Sequence, residues 1–344
     1  MKWSEMTSLP MDQMKKLGHD LNDTLIECSF NSFKCNSTEF TWSYDEDYGN
    51  CYTFNSGKTM RVKESYLGGP NFGLQLTLYV NIYEKHLKTR KGLGAVIRIG
   101  NSSYQTDNSN NGIFVSPGYQ TFIAVEREFK TMIEKPYSNC ESMIDSDFYN
   151  LIARSDYAYT QQLCISQCLQ KKFIDIYNCT LYYFVSLFNR SQCDSDIVYL
   201  ITKSPESFDK NYINEICLPQ CPLECNQTLY KTSISFNQLN GNYEYYILNL
   251  TNNPNLAMDF IKRTIDATTV KESLVKVNVF YESLSYTILT DSPQTDAVWL
   301  LSSIGGNLSL FLGVSVFSLF EFIIVTIEVF LILKNNYKLK KTFF

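Results

Sequence analysis

The chain has 344 residues, of which 44% are hydrophobic and 19% charged, and its formal net charge is −5. With neither a basic stripe nor a Gly-rich phosphate loop, this composition disfavours binding of nucleic acids or nucleotides. Only two histidines occur, His19 and His86, and neither lies near a nucleophile pattern, which disfavours acid–base and triad catalysis. We therefore expect a protein that is not an enzyme and has no cofactor.

The first predicted elements are strands. Residues 1–27 contain neither a signal peptide nor a long apolar segment. Beyond them, apolar and polar residues alternate as in half-buried strands, and turn-rich stretches such as "SPG" separate the alternating segments. The predicted strands are "GLQLTLYVNIY" (73–83), "GAVIRIG" (94–100), "TFIAVEREF" (121–129) and "VKVNVFYESLSYTIL" (275–289). The acidic "DED" at 45–47 is expected to be solvated surface.

Most of the 11 cysteines lie between residues 140 and 228. In the predicted helix "YTQQLCISQCLQKKFIDIY" (159–177), Cys164 and Cys168 are one turn apart, so both face one partner. Zinc is the competing account of clustered cysteines, but the two histidines and the absence of C-x2-C pairs disfavour it. We expect no metal site.

The N-x-S/T glycosylation pattern recurs along the region that carries the cysteines. It occurs at Asn22, Asn36, Asn101, Asn178, Asn189, Asn226 and Asn249. Many such sites alongside many cysteines favour an oxidising, extracellular setting in which thiols pair and asparagines can be glycosylated.

A long apolar run begins at Leu308 and ends at Leu333, without Lys or Arg, and is long enough to span a bilayer. Four lysines follow it, at Lys334, Lys338, Lys340 and Lys341. The positive-inside rule therefore predicts a plasma-membrane protein with a cytoplasmic C-terminus and an extracellular body. Because no upstream signal exports that body, either the chain is a fragment or its export depends on the single C-terminal span.

Costly residues interrupt this run. A charged side chain at mid-bilayer costs about 2.5–3.5 kcal/mol on insertion scales, yet Glu321 and Glu328 lie two helical turns apart on one face. Gly305, Gly306 and Gly313 permit close helix approach or local unwinding. A Ser bonded back to its own helix is the plain reading of Ser315. Together, however, these residues favour a water-lined pore surrounded by several copies.

Motifs along the chain resemble the degenerin, epithelial sodium channel and acid-sensing ion channel superfamily. They are "CSFNSFKC", "YGNCYTFNSG", "GLQLTLYVN", "SPGYQTFIAV", "CISQC", "CLPQCPLECNQTLYKTSISF", "VNVFYESLSYTIL" and "LLSSIGGNLSLFLGVS", within residues 25–330. The resemblance implies an α+β fold: a β-rich extracellular domain of finger, palm, β-ball and disulfide-stapled helical thumb at 1–298. A pre-membrane segment and one pore-lining transmembrane helix follow at 299–333, with a cytoplasmic basic tail at 334–344.

The resemblance also pairs the cysteines. The implied bonds are Cys28–Cys35, Cys140–Cys225, Cys164–Cys221, Cys168–Cys217 and Cys179–Cys193. Cys51 is left over, and in the family its counterpart pairs with a Cys just after a first membrane helix, a segment missing from this chain. A free thiol or an intermolecular bridge at Cys51 is the alternative.

In function, the resemblance implies a subunit of a trimeric, amiloride-sensitive sodium channel gated by a ligand or another stimulus. Its partners are two further subunits, the lipid bilayer, and an extracellular ligand such as a peptide or a proton; sodium is the permeant ion. The positions that match family sites are the filter triplet Gly313, Val314 and Ser315, the acidic Glu321, and the gating position Ser302.

Two positions depart from the family pattern, with Ser303 where Asp is common and Tyr137 where proton-gated relatives have Trp. A second hypothesis is a non-conducting truncated subunit that modulates full-length partners, or a single-pass Cys-rich surface receptor.

Overall fold

A computed structural model describes residues 11–45, 48–58, 61–80, 92–101, 112–181, 184–203, 209–251, 266–313 and 315–341. The chain divides into two compact units, Met1–Thr290 and Asp291–Phe344. The predicted domain boundary, at 298, lies a little further along the chain. Val314, His86 and residues 46–47 and 81–83 lie outside the described residues, as do the side chains of Asn249, Lys338, Lys340 and Lys341.

The strands and helices are numbered in chain order over the described residues. The strands are β1 (Leu25–Phe30), β2 (Phe33–Lys34), β3 (Phe40–Asp45), β4 (Gly49–Phe54), β5 (Leu74–Tyr79), β6 (Ala95–Ile97), β7 (Ile113–Val115), β8 (Tyr119–Thr131), β9 (Cys140–Glu141), β10 (Leu223–Glu224), β11 (Asn226–Gln238) and β12 (Leu274–Thr290). The helices are α1 (Met11–Leu17), α2 (Leu21–Thr24), α3 (Asp147–Ala153), α4 (Gln161–Tyr177), α5 (Ser195–Lys203), the three consecutive pieces of α6 (Lys210–Tyr212, Ile213–Cys217 and Leu218–Gln220), α7 (Gly241–Thr251), α8 (Ala267–Ser273), α9 (Ala297–Leu312) and α10 (Val316–Lys341).

A six-stranded sheet forms the centre of the larger unit, with strand order β11-β8-β12-β5-β1-β2. Strand β12 runs parallel to β8 and antiparallel to β5, and the other pairs are antiparallel. The alternation that predicted the strands follows from burial, since one face of β8 and β12 is covered by the β6–β7 hairpin. The side chains buried there include Ile123, Val125, Val275 and Val277.

The α3–α6 region, called the thumb below, is a disulfide-linked helical subdomain. Helix α4 begins after Thr160, whose hydroxyl accepts a hydrogen bond from the Leu163 amide, and it ends at Asn178 in the left-handed conformation. Its buried face carries Leu163, Cys164, Cys168 and Phe173. Both cysteines bond to the α6 region, as expected for residues one turn apart.

Five disulfides are present, and they are the five pairs that the resemblance implies. They join Cys28–Cys35, Cys140–Cys225, Cys164–Cys221, Cys168–Cys217 and Cys179–Cys193. Cys51, on β4, is the free thiol among the described residues. The Cys140–Cys225 bond lies beside a short parallel pair of β9 and β10, at the base of the thumb.

The smaller unit consists of α9 and α10. The apolar run Leu308–Leu333, treated above as one span, is divided here, because α9 ends at Leu312 and α10 begins at Val316. Its described apolar side chains are exposed in the single chain, with Leu310 at 78%, Phe311 at 80% and Phe317 at 80%. Over the described part of the chain, no helix has both the length and the apolar character needed to cross a membrane.

Candidate functional site

The break between α9 and α10 lies at the predicted filter triplet. Gly313 ends α9 in the left-handed conformation (φ 63°), and its amide donates to the Ser309 carbonyl at 3.1 Å. A left-handed residue after the last turn is a standard helix end, and glycine adopts it without a steric penalty. A Cβ built on Gly313 would meet no atom of this chain within 4 Å, so its backbone faces open space in the monomer.

Ser315 begins the second helix. Its hydroxyl accepts a hydrogen bond from the Ser318 amide at 3.3 Å, and its carbonyl accepts one from the Leu319 amide at 3.2 Å. The plain reading of this residue, a hydroxyl bonded within its own helix, therefore applies in the single chain. Both polar groups of Ser315 are therefore used within the first turn of α10.

A row of small residues leads along α9 to the break. Ser302, Gly306, Ser309 and Gly313 follow one another at intervals of four, three and four residues, which places them on one face of the helix. A Cβ on Gly305 or Gly306 would likewise meet no atom within 4 Å. Because small side chains allow two backbones to approach closely, this face of α9 is suited to helix–helix contact.

Two carboxylates lie on α10. Glu321 and Glu328 are exposed, and in the described residues neither forms a hydrogen bond or ion pair. Their spacing of seven residues puts them on nearly the same helix face. Between them, the Thr326 hydroxyl donates to the Phe322 carbonyl at 2.7 Å. In the single chain, therefore, the Thr326 hydroxyl has a hydrogen-bond partner in its own helix, whereas the two carboxylates have no protein partner among the described residues.

In the thumb, two glutamines that sequence reasoning missed hold the connection between α4 and α5. Gln170 is fully buried; its amide nitrogen donates to the Leu181 carbonyl at 2.8 Å, and its oxygen accepts from the Leu181 amide at 2.9 Å. Gln167 makes similar bonds to Val185 and Leu187. Gln167 lies three residues from Cys164, and Gln170 lies three from Gln167, and this helical spacing was the signal that both point inward.

Cys51 lies in a polar pocket of the larger unit that the sequence did not reveal. Asp45 accepts a 2.7 Å hydrogen bond from Nη1 of Arg98, whose guanidinium stacks 5.1 Å from the Tyr48 ring. Burial and the Asp45 carboxylate raise the pKa of the Cys51 thiol to about 11, against a lowering by Arg98. The expectation that Asp45 is solvated surface was wrong, because its side chain is only 9% exposed.

The remaining predicted residues take up separate positions. Tyr137 is 61% exposed in the turn that precedes β9. Six of the seven asparagines of the N-x-S/T pattern are exposed, which is the condition for a glycan. They are Asn22, Asn36, Asn101, Asn178, Asn189 and Asn226.

A family model matches nearly the whole chain. The family model described as "ASC: Amiloride-sensitive sodium channel" matches residues 3–325. The chain belongs to the amiloride-sensitive sodium channel family. Since the family consists of ion channels, the prediction that the chain is not an enzyme is confirmed.

Curated relatives are epithelial sodium channel subunits. The beta subunit of Neoceratodus forsteri is 27% identical over 92% of this chain and 48% of its own length. The beta subunit of Bos taurus is 26% identical over 91% of this chain and 48% of its own length. The gamma subunit of Neoceratodus forsteri is 26% identical over 92% and 47%. The chain thus spans about half the length of the curated relatives it matches.

Proposed function

We propose that the chain is a subunit of a trimeric, sodium-selective, amiloride-sensitive channel of the plasma membrane. The larger unit is extracellular, the C-terminus is cytoplasmic, and α9 and α10 line the pore together with the helices of two further subunits. The observation that carries this proposal is the helix break at Gly313–Ser315 inside the apolar run. Non-helical backbone at membrane depth is tolerated only where it is buried in protein or lines water.

In this arrangement the residues have distinct roles. Gly313, Val314 and Ser315 form the constriction at which carbonyl and hydroxyl oxygens replace the hydration shell of sodium. Glu321 lies below it and, together with Glu328, faces water or a neighbouring helix, which accounts for their lack of partners in the single chain. The small-residue face that begins at Ser302 lets the helices of neighbouring subunits approach closely.

Gating by an extracellular stimulus would use the difference between the disulfide-linked thumb and the divided C-terminal helix. The two disulfides between α4 and α6 make the thumb a stiff body, and the Cys140–Cys225 bond fixes its base to the sheet. Rigid bodies transmit small displacements to an element with two discrete states. The divided C-terminal helix is that element in our proposal, and a peptide or proton is the class of stimulus.

The deciding experiment is voltage-clamp recording from cells that express the intact gene product, with external sodium exchanged for potassium or a large organic cation. Ser315→Asn keeps the helix cap, because Asn caps as well as Ser, but adds bulk at the constriction. We expect it to alter the sodium-to-potassium preference or abolish the current. Ser315→Ala removes the cap and the filter hydroxyl together without adding bulk, and it should also weaken the preference for sodium.

The gating position has its own pair of variants. Ser302→Val should raise resting current, whereas Ser303→Val, one residue away and on another face of α9, should not.

If Ser315→Asn conducts like the parent and only Ser315→Ala disrupts the protein, the residue is a helix cap and the filter assignment is wrong. A gene product that reaches the surface without current, and changes the current of co-expressed relatives, would instead be a modulatory subunit.

A further inference from the structure

Residues 61–73, called the strap below, connect β4 to β5 and lie against β12. Apart from the single 3₁₀ turn Pro70–Phe72, the strap contains no regular secondary structure. Segments of this kind usually depend on side chains or neighbouring strands for their backbone hydrogen bonds. Lys63 exchanges hydrogen bonds with the Asn55 side chain and forms an ion pair with Glu39. Two further partners of the strap are the β1–β2 turn and the middle of β12.

The first partner is the β1–β2 turn, formed by Asn31 and Ser32. Both residues are in the left-handed region, with φ of 52° and 65°, which projects their side chains towards the strap. The Asn31 amide donates to the Glu64 carbonyl at 2.9 Å, and the Ser65 hydroxyl lies 3.2 Å from the Asn31 side-chain oxygen. The Ser32 hydroxyl donates to the Asn71 carbonyl at 3.1 Å. The backbone amide of Asn31 also donates to the Gly73 carbonyl at 3.3 Å, so side chains and backbone of the turn hold the strap along its length.

The second partner is β12. The Gly69 amide donates to the Tyr281 carbonyl at 2.8 Å, and the Asn278 side chain donates to the Pro70 carbonyl at 2.8 Å. Asn278 is 3% exposed, and its side-chain oxygen has no partner among the described residues. Gln75, opposite Asn278 on β5, donates to the same Pro70 carbonyl at 2.9 Å. One carbonyl of the strap thus joins two neighbouring strands.

Glycines bring the strap into direct contact with the β12 backbone. A Cβ on Gly73 would lie 2.1 Å from the Val279 carbonyl oxygen, far inside contact distance. A Cβ on Gly68 would lie 3.0 Å from the Glu282 carbonyl oxygen. Gly69 itself has φ of 99°, which side-chain-bearing residues rarely adopt. Backbone packed directly on backbone has little freedom to slide, since no flexible side chain lies between the two.

The contact coincides with an interruption of β12. Its parallel pairing with β8 runs to Tyr281 and resumes only at Tyr286, and the Gly69 hydrogen bond is made to Tyr281. Between those residues, β12 is not in register with β8 and its side chains are exposed. The strap therefore holds β12 at the last paired residue before the irregular stretch.

We propose that the strap is a coupling element that transmits displacement of the β1–β2 turn to the middle of β12. The strand can then be moved from two sides, by its neighbours in the sheet and by the strap. A role of the strap in gating rests on the proposed channel function. The mechanical connection between the turn and β12 does not depend on that function. Displacing the strap at either end should loosen β12 at Val279–Glu282.

Hydrogen–deuterium exchange on the purified chain in detergent tests the connection. Gly73→Ala forces the strap away from β12, and exchange should become about tenfold faster both in the strap and at residues 279–282. Ser65→Ala acts away from the β12 contact, because the hydroxyl contacts Asn31 and the Leu67 and Phe72 carbonyls but not β12. A coupling strap predicts faster exchange at residues 279–282 in this variant as well.

Gly92→Ala is the matched control, since a Cβ there meets no atom within 4 Å and φ is not positive. It should leave exchange at β12 unchanged. Faster exchange confined to residues 61–73 in both strap variants would overturn the proposal and leave the strap as a simple cover. Should Gly73→Ala fail to fold, Ser65→Ala decides alone.

Recording from the intact gene product adds the functional part. Ser65→Ala should change the rate at which current rises or decays after a stimulus, with ion preference unchanged. If exchange at β12 responds but no variant or parent carries current, the strap connection holds and the channel function fails. If current is present and neither exchange nor kinetics respond, the strap proposal fails and the channel function stands.

Discussion

The thumb and the C-terminal unit are both helical and both rich in apolar residues, yet only the thumb buries them. In the thumb, Ile152 and Cys164 are 0% exposed and Phe173 is 1% exposed. In the C-terminal unit, Phe311 and Phe317 are both 80% exposed. A helix that is apolar on all sides needs an apolar environment. In the single chain, therefore, the thumb covers its apolar residues and the C-terminal unit leaves them exposed.

The largest expected loss of unfolding free energy comes from removing a thumb disulfide. Replacing Cys168 and Cys217 by Ala opens a cross-link with a sequence separation of 49 and should cost about 4 kcal/mol of unfolding free energy. Replacing Cys28 and Cys35, with a separation of 7, should cost about 2.5 kcal/mol. Denaturant unfolding of the purified chain measures both. Equal losses would mean that loop closure does not set the stability of the thumb.

A matched pair of isoleucines tests burial directly. Ile152→Ala leaves a cavity at a fully buried thumb position and should cost about 3 kcal/mol of unfolding free energy. Ile304→Ala, at a position 48% exposed on α9, should cost under about 0.5 kcal/mol in the monomer. If the proposed trimer forms, the same α9 substitution should instead weaken subunit association, measurable by cross-linking at the cell surface. A large monomer effect of Ile304→Ala would contradict the contrast.

A smaller effect is expected from the buried amide that fastens the thumb connection. Gln170→Leu keeps the volume but leaves the buried amide and carbonyl of Leu181 without their partner, at a cost of about 2 kcal/mol. Gln220→Leu is the control, because Gln220 is exposed and makes one bond within its own helix. Thermal unfolding compares the two variants. Indistinguishable melting temperatures would show that the backbone amide and carbonyl of Leu181 form hydrogen bonds with water when Gln170 is replaced.

The smallest effect concerns the free thiol. With the pKa of Cys51 raised to about 11, the thiolate fraction at pH 8 should be about 100-fold lower than for a thiol of pKa 9. Alkylation of Cys51 should therefore accelerate with pH up to about 11 instead of levelling off above 9. The stability that the protonated thiol contributes is fully present below pH 9 and is lost as pH rises through 11. Mass spectrometry after timed alkylation reads the rate, and a plateau at pH 9 would contradict the burial of the thiol.

Periodicity predicted the sheet well where burial is one-sided. Strand β8 follows the alternation over residues 121–125, where Thr121, Ile123 and Val125 are buried. In β12 the predicted valines Val275 and Val277 are buried, but Asn278 is buried as well. The helix with Cys164 and Cys168 was predicted from its spacing and observed over Gln161–Tyr177. The pairing of the cysteines needed family resemblance, because spacing alone leaves many combinations open.

Other features could not be predicted from a single sequence. The Asp45–Arg98 pair joins residues 53 positions apart, and nothing local distinguishes Asp45 from a solvated acid. The strap depends on a close backbone approach that a Gly-rich stretch allows but does not specify. The sequence showed that Gly313 allows the helix to unwind, but it did not show that the apolar run is divided there. The residues on both sides of the break are apolar, so hydropathy does not mark it.

The parallel pairing of β8 with β12 has a consequence for biosynthesis. Gln120 pairs with Lys276, so the centre of the sheet cannot close until most of the polypeptide has left the ribosome. Until then, β8 can pair with β11 on one edge but has no strand on its other edge, although the β6–β7 hairpin that covers its apolar face has already been made. A strand edge left unpaired for that long can pair wrongly with another chain, and β12 removes this risk only when it takes its place between β8 and β5.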